Sequence, residues 1–182
     1  MTPFPFGQFG VVYCDPPWSY EMYSEKGYEK SPDAHYDTMT LDELKSLRDH
    51  LDFATTPDAV LFMWGVFPMI PEAMELIRHW GFKYKTGGAW HKKTKHGKDA
   101  FGTGYIFRSA CEPFFIATRG EPKTLNKSTR NIVEAAVREH SRKPDCVYDM
   151  IENLFEGPYL ELFARNTKPG WTAWGNETEK FA

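Results

Sequence analysis

Residues 11–18 read Val-Val-Tyr-Cys-Asp-Pro-Pro-Trp, an apolar strand that ends in a carboxylate, two prolines and an aromatic ring. Proline fixes φ and lacks an N–H, so Pro16 and Pro17 end the strand in a stiff turn with exposed carbonyl acceptors. Asp15 adds carboxylate oxygens, and Trp18 adds a flat ring on which a planar group can stack. This combination suits a nucleobase that carries an amino group. The alternative is a strand that ends in a proline turn, with Trp18 in the core.

The rest of the chain alternates apolar runs with amphipathic segments, a pattern typical of α/β proteins. Strands are expected at residues 10–14, 59–64, 82–91, 112–118, 159–164 and 172–174. Helices are expected after the capping box Thr40-Leu-Asp-Glu43, at 68–80, at 131–140 and from Asp145. Three polar stretches remain as long loops, which are commonly functional in a compact domain: residues 19–39, 92–105 and 120–131.

Composition limits the classes of protein that fit this sequence. At 182 residues the chain is expected to form one domain, residues 1–182. No apolar run reaches membrane-spanning length, and the first residues lack the pattern of a signal peptide. The three cysteines are scattered and form neither a disulfide framework nor a metal-binding pattern. We therefore expect a cytoplasmic protein with no membrane contact and no metal site.

Charge is distributed unevenly along a chain whose net charge is −3. Residues 78–143 carry 15 Lys and Arg against 5 Asp and Glu, whereas both flanking segments are acidic. Clustered cations interleaved with aromatic residues favour a polyanion such as nucleic acid, although a solvated basic surface would have the same composition. The side chains expected to contact phosphates are Lys92, Lys93, Lys95, Lys98 and Arg108, with Lys123, Lys127 and Arg130 as further candidates.

Asp15-Pro-Pro-Trp18, at the end of the first strand, resembles the catalytic motif of the MT-A70 family of N6-adenine methyltransferases. Further segments resemble other motifs of this family, and they occur in the order that the family has. These segments are His140–Asp145, Glu161–Arg165, Pro169–Trp171 with Trp174–Glu177, and the turn Gly102-Thr-Gly104. Because the matches cover nearly the whole chain, coincidence is a poor explanation for them.

The resemblance implies a Rossmann-like α/β fold of S-adenosylmethionine-dependent methyltransferases, with a mostly parallel sheet flanked by helices. The order is permuted, so that the catalytic strand comes first and the cofactor-binding strand comes last. S-adenosylmethionine would be the cofactor, and Lys143 would pair with its carboxylate. Asn166 stands where some relatives carry a His-Asn pair. The full set implied for cofactor binding is Cys14, Asp15, Lys143, Glu161, Phe163, Arg165, Asn166, Gly175, Asn176 and Glu177.

By the same resemblance, the chain would methylate the exocyclic amino group of adenine in nucleic acid, with DNA favoured over RNA. The Asp15 carboxylate and the Pro16 carbonyl would hold the amine protons. The Tyr, Gly and Lys content of residues 19–39 leads us to expect that this segment closes over the base as a lid. The implied catalytic residues are Asp15, Pro16, Pro17 and Trp18. From their position after this motif, the aromatic residues expected to contact the base are Trp18, Tyr20 and Tyr23, with Tyr28 as a further candidate.

Two alternative functions stay open at this point. One is a catalytically silent subunit that binds nucleic acid and supports a partner, and the intact Asp15–Trp18 motif argues against it. The other is a methyltransferase for a different planar amine or amide, which the basic central segment disfavours. Members of the family act alone, as homodimers or with an inactive homologous partner, and the sequence leaves this choice open.

Overall fold

The computed structural model describes residues 3–19, 38–102, 104, 106–139 and 141–181. These ranges form a sheet with helices on both faces. The strands are β1 (Phe9–Cys14), β2 (Thr55–Trp64), β3 (Lys83–Lys93), β4 (Cys111–Arg119), β5 (Ile132–Ala136), β6 (Tyr159–Leu162) and β7 (Trp171–Trp174). The helices are α1 (Leu41–Lys45), α2 (Arg48–Ala54), α3 (Ile70–His79) and α4 (Cys146–Leu154). None of the helices in the described ranges has the length and apolarity that crossing a bilayer requires.

The seven strands lie in the order β5-β3-β4-β2-β1-β6-β7. Strand β1 is central and pairs in parallel with β2 and β6, while β4 is antiparallel to both of its neighbours, β2 and β3. The carboxyl ends of the six strands that share a direction therefore meet at one edge, where β4 begins. The predicted fold is confirmed: a mostly parallel α/β sheet in permuted order, flanked by helices. The first strand lies in the interior of the sheet, and the last two strands follow it to one edge.

Residues that alternate along β1 build a separate core on each face of the sheet. Val12 and Cys14 pack in the core that lies under α1, α2 and α3. Val11 and Tyr13 pack in the opposite core, which α4 covers with Val147, Tyr148 and Ile151. This alternation directs the Tyr13 side chain toward α4 and brings Asp15, the next residue on that face, to the carboxyl edge of the sheet.

Most of the expected elements are confirmed, with shifted boundaries. The capping box at Thr40 is present, with Glu43 Oε2 accepting from the Thr40 N–H at 2.7 Å. The helix expected to continue from it is divided into α1 and α2. The helix expected at 68–80 begins as a 3₁₀ turn, Phe67–Met69, before α3. Two prolines, Pro68 and Pro71, lie in these first turns, where a missing N–H is tolerated.

The helix expected at 131–140 is wrong, because this segment contains the edge strand β5, paired in parallel with β3. The β-branched residues Ile132 and Val133 favour a strand, and their burial alternates with a period of two. Val133 is buried in the core, whereas Ile132 and Glu134 are exposed. The alanines that suggest a helix lie at an edge, where β3 supplies the backbone partners that override helix propensity.

Candidate functional site

A cavity that is partly open to solvent lies at the carboxyl edge of the sheet, between the ends of β1 and β6 and the segment before α4. It brings together side chains from four separate parts of the chain, within residues 13–15, 141–148 and 161–166 and at Phe181. The residues of the implied cofactor and catalytic set that line it are Asp15, Lys143, Glu161, Phe163, Arg165 and Asn166. The sequence therefore anticipates a large part of this lining.

Two lining residues, Ser141 and Phe163, have left-handed backbone conformations, with φ of 63° and 59°. Such conformations are uncommon outside glycine and cluster at functional sites, where the surrounding fold holds them in place. Phe163 directly follows β6 and turns the chain at the mouth of the cavity. Ser141 lies before Lys143 and accepts a hydrogen bond from Arg165 at 3.4 Å through its carbonyl.

An ion pair joins the residue that follows β1, Asp15, to the segment that precedes α4, at Lys143. Lys143 Nζ donates to Asp15 Oδ2 at 2.8 Å, and the two side chains are 15% and 24% exposed. Burial alone would lower the pKa of Lys143, but the Asp15 and Glu112 carboxylates outweigh it and raise this pKa above its usual value. Lys143 is therefore a permanent cation that orients Asp15. Its implied pairing with the carboxylate of a cofactor stays a prediction.

Glu112 is a residue of the site that the sequence analysis did not single out. Its Oε2 lies 3.3 Å from Lys143 Nζ, and its Oε1 accepts from Lys92 Nζ at 2.5 Å. Burial raises the pKa of Glu112, but Lys143 and Lys92 outweigh it and lower this pKa. The only feature of the sequence that could have identified Glu112 is that it is a lone carboxylate at the start of the apolar strand β4. Lys92, expected to contact phosphate, instead forms an ion pair inside the protein.

Glu161 lies deep in the cavity and accepts a hydrogen bond from the hydroxyl of Tyr148 at 2.7 Å. Burial raises its pKa to about 7; the charge of Asp15 adds to the rise, while the Tyr148 hydrogen bond and Arg165 oppose it. Burial also raises the pKa of Tyr148, and the Glu161 carboxylate adds to that rise. Glu161 therefore gains or loses its charge near neutral pH, and Tyr148 stays a donor.

The other implied cofactor residues lie around this centre. Glu177 Oε2 is 3.6 Å from Arg165 Nε. A Cβ on Gly175 would lie 2.7 Å from the Ala164 carbonyl oxygen, so Gly175 allows the end of β7 to approach the chain after β6. Asn176 is exposed. The Cys14 side chain is fully buried in the core on the opposite face of the sheet, which directs it away from the cavity.

Hydrogen bonds and packing fix the Pro16–Trp18 turn. The Pro16 carbonyl accepts from the Trp18 N–H at 2.8 Å, and the Pro17 carbonyl accepts from the Met39 N–H at 2.8 Å. Trp18 is only 5% exposed and packs in the core that α1 to α3 cover. The structure therefore gives Trp18 a packing position, not the open face that base stacking needs. Tyr20, Tyr23 and residues 20–37 of the expected lid lie outside the described residues.

The five side chains first expected to contact phosphates divide into two groups, and the further candidates Lys123, Lys127 and Arg130 are all exposed. Lys95, Lys98 and Arg108 are exposed on the segment that joins β3 to β4. Lys93, by contrast, pairs with Asp99 at 2.9 Å and lies 3.7 Å from Glu134. Because β3 ends and β4 begins at the edge that holds the cavity, the exposed cations lie on the connection that leaves this edge.

Comparisons with known proteins identify the family of the chain. The MT-A70 family model matches residues 9–177. The type II methyltransferase M.MunI of Mycoplasma sp is 31% identical, and the match covers 95% of this chain and 79% of that protein. The N(6)-adenosine-methyltransferase MT-A70-like protein of Arabidopsis thaliana is 30% identical over 94% of the chain, and the human N(6)-adenosine-methyltransferase catalytic subunit METTL3 is 29% identical over 95% of it. The matches cover only 24% and 29% of these two longer proteins. The chain belongs to the MT-A70 family.

Proposed function

We propose that residues 1–182 form one methyltransferase domain that transfers a methyl group to the exocyclic amino nitrogen of adenine in nucleic acid. The observation that carries this proposal is the Asp15 carboxylate at the carboxyl end of β1. It lines the cavity and is held by Lys143 at 2.8 Å. Membership of the MT-A70 family supports the reaction, because the plant and human relatives are N(6)-adenosine-methyltransferases by name.

The side chains that line the cavity suit S-adenosylmethionine in their chemistry. Lys143 offers a cation for the carboxylate of the cofactor, and Phe163 offers an aromatic ring. Glu161 and Asn166 offer acceptors for its hydroxyl groups, and Arg165 offers donors to them. When bound, the cofactor supplies an electrophilic methyl group on a positively charged sulfur.

The protein's own task is to hold and polarise a weak nucleophile, because the lone pair of the adenine amine is delocalised into its ring. With Asp15 Oδ2 engaged by Lys143, Oδ1 remains as an acceptor for one amine proton. The Pro16 carbonyl accepts from the Trp18 N–H, and its second lone pair can accept the other amine proton. Both acceptors would stabilise the positive charge that develops on the nitrogen during transfer. The rigid turn that carries them reduces the entropic cost of aligning the amine.

We propose DNA as the preferred substrate, because M.MunI, 79% of which the match covers, is a type II methyltransferase. The exposed cations Lys95, Lys98 and Arg108 would contact its phosphates. We also propose that the chain assembles with a second copy of itself or with an inactive homologue. The human relative is a catalytic subunit by name, which supports such an assembly.

Methyl transfer from labelled S-adenosylmethionine to single- and double-stranded DNA and RNA, followed by nucleoside identification, tests the proposal. We expect label in N6-methyladenine. The Asp15→Asn variant should lose about 100-fold or more in rate, because it removes the charged acceptor. Asp42→Asn, at a side chain that is 95% exposed in α1, is the matched control and should keep the wild-type rate. Label in another product, or full activity of Asp15→Asn, would contradict the proposal.

A further inference from the structure

Four charged side chains of alternating sign form a continuous row that starts at Asp15, directly after β1. Asp15 pairs with Lys143 at 2.8 Å, Lys143 lies 3.3 Å from Glu112, and Glu112 pairs with Lys92 at 2.5 Å. Glu112 and Lys92 are only 20% and 21% exposed. Charges this far from solvent interact strongly, and removal of one member leaves its partner inadequately compensated.

The sheet explains why residues so distant in sequence meet here. Strand β4 is antiparallel, so its beginning lies beside the ends of its neighbours, and Trp90 of β3 is paired in register with Glu112. Lys92 follows Trp90 by two residues, which places both side chains on one face of β3. That face is the one that carries the cavity, because Trp90 packs in the same core as Tyr13 and Tyr148.

Aromatic rings support both lysines of the row. Lys92 Nζ lies 5.2 Å from the centre of the Trp90 ring, and Lys143 Nζ lies 5.5 Å from the centre of the Trp64 ring. These contacts fall within the range of cation–π attraction and restrict where each ammonium group can go. Lys93, the next residue along β3, pairs instead with Asp99 and Glu134.

We propose that Lys92 is a positioning residue for methyl transfer, which acts through Glu112 to keep Lys143 on Asp15. The inference rests on the proposed function. Lys143 is shared between two carboxylates, and Lys92 satisfies one of them. Without Lys92, Glu112 keeps Lys143 as its only cationic neighbour in the row and draws its ammonium group away from Asp15. The acceptor geometry at Asp15 then loosens, although Lys92 itself touches neither substrate nor cofactor.

Kinetics of Lys92→Met separate this role from the phosphate contact expected from the sequence. A phosphate contact contributes to nucleic-acid affinity, so its loss would raise KM and reduce the salt dependence of binding. A positioning role contributes to the transition state, so its loss lowers kcat. We expect kcat to fall about tenfold or more, with KM and the salt slope unchanged. Lys92→Arg, which keeps the charge, should retain most of the activity.

Lys83→Met is the matched control, because Lys83 is an exposed lysine at the opposite end of the same strand. It should keep wild-type kcat and KM. A Lys92→Met variant with wild-type kcat, or one with a raised KM, a reduced salt slope and an unchanged kcat, would overturn the inference. Should Lys92→Met fail to fold, Lys92→Gln answers the same question.

A crystal structure of Lys92→Met provides a readout that does not depend on activity. We expect Lys143 Nζ to lie beyond hydrogen-bond distance of Asp15, farther than about 3.2 Å, and closer to Glu112. An unchanged Lys143–Asp15 pair would overturn the inference even if the wild-type protein transferred no methyl group. Inactive wild-type protein would count against the proposed function instead, so the two failures are distinguishable.

Discussion

Glu161 lies between Leu160 and Leu162 on β6, and the three side chains divide between the two faces of the sheet. Both leucines are fully buried in the core that α1 to α3 cover, whereas Glu161 lines the cavity on the opposite face. Burial raises its pKa to about 7, well above its ordinary value near 4.5. Burial favours the protonated form of this carboxyl group, and a ligand that offers a cation or a hydrogen-bond donor would favour the ionised form.

The substitution Glu161→Gln tests this burial through the pH dependence of stability. Between about pH 4.5 and pH 7 the folded protein keeps a proton that the unfolded chain releases, so this group makes the wild-type protein less stable as pH rises through that window. Glutamine keeps an acceptor for Tyr148 but does not titrate. We therefore expect the free energy of unfolding to fall less for Glu161→Gln than for wild type between pH 5 and pH 8, by up to about 3 kcal/mol.

Urea denaturation at pH 5 and pH 8 measures this difference. Glu179→Gln, at an exposed glutamate near the end of the described chain, should follow the wild-type pH dependence. Parallel pH dependences of wild type and Glu161→Gln would mean that Glu161 ionises freely in the folded protein.

Sequence motifs reach some residues of the site and miss others for a physical reason. Asp15, Lys143 and Glu161 belong to contiguous motifs, and all three line one cavity. Glu112 and Tyr148 act through partners from other segments, Lys143 and Glu161, and only the fold brings them together. The same limit explains Lys92, which sequence alone assigns to a basic surface because its neighbours are basic.

At the scale of elements, the pairing of β3 with β5 depends on a close approach of the two backbones at Gly88. A Cβ on Gly88 would lie 2.0 Å from the Asn131 carbonyl oxygen, which accepts the Ala89 N–H at 3.0 Å. The contact lies at the beginning of β5, the segment that composition suggests should be helical. Helical propensity is a local property, whereas this pairing depends on a glycine more than 40 residues earlier in the chain, so the sequence pattern could not reveal it.

Gly88→Ala should therefore destabilise the protein by about 2 kcal/mol, because the added methyl group pushes β5 off β3. Gly102→Ala is the matched control, since the atom nearest to its Cβ would be the Ser109 carbonyl oxygen at 4.0 Å. Its effect should stay within about 0.5 kcal/mol. Denaturant unfolding measures the free energy of unfolding of both variants. Equal values for Gly88→Ala and Gly102→Ala would contradict the prediction, because they would show that β5 can shift away from β3 without a loss of stability.

At the scale of the whole molecule, the basic segment, residues 78–143, contains cations that form ion pairs within the protein and cations that are exposed to solvent. Lys92 and Lys143 neutralise partly buried carboxylates, and Lys93 pairs with Asp99 and Glu134. Net charge along the sequence therefore overstates the cations available to nucleic acid. The fold class, by contrast, was accessible from sequence, because alternating strands and helices and the order of the motifs are properties of the chain as a whole.

The exposed set Lys95, Lys98 and Arg108 should account for much of the salt dependence of nucleic-acid binding. Each phosphate contact adds about 0.9 to the slope of log K against log salt on duplex DNA, so replacing all three by glutamine should reduce the slope by roughly 2 to 3. Substituting Arg78, Lys83 and Lys85, which are exposed on α3 and at the other end of β3, removes the same charge far from the cavity. That control should lower affinity only slightly and keep the slope, because long-range attraction is screened while contacts are not. Titrations of a labelled duplex across salt concentrations measure both slopes, and an equal decrease in the two variants would show that net charge, not contact by this segment, drives binding.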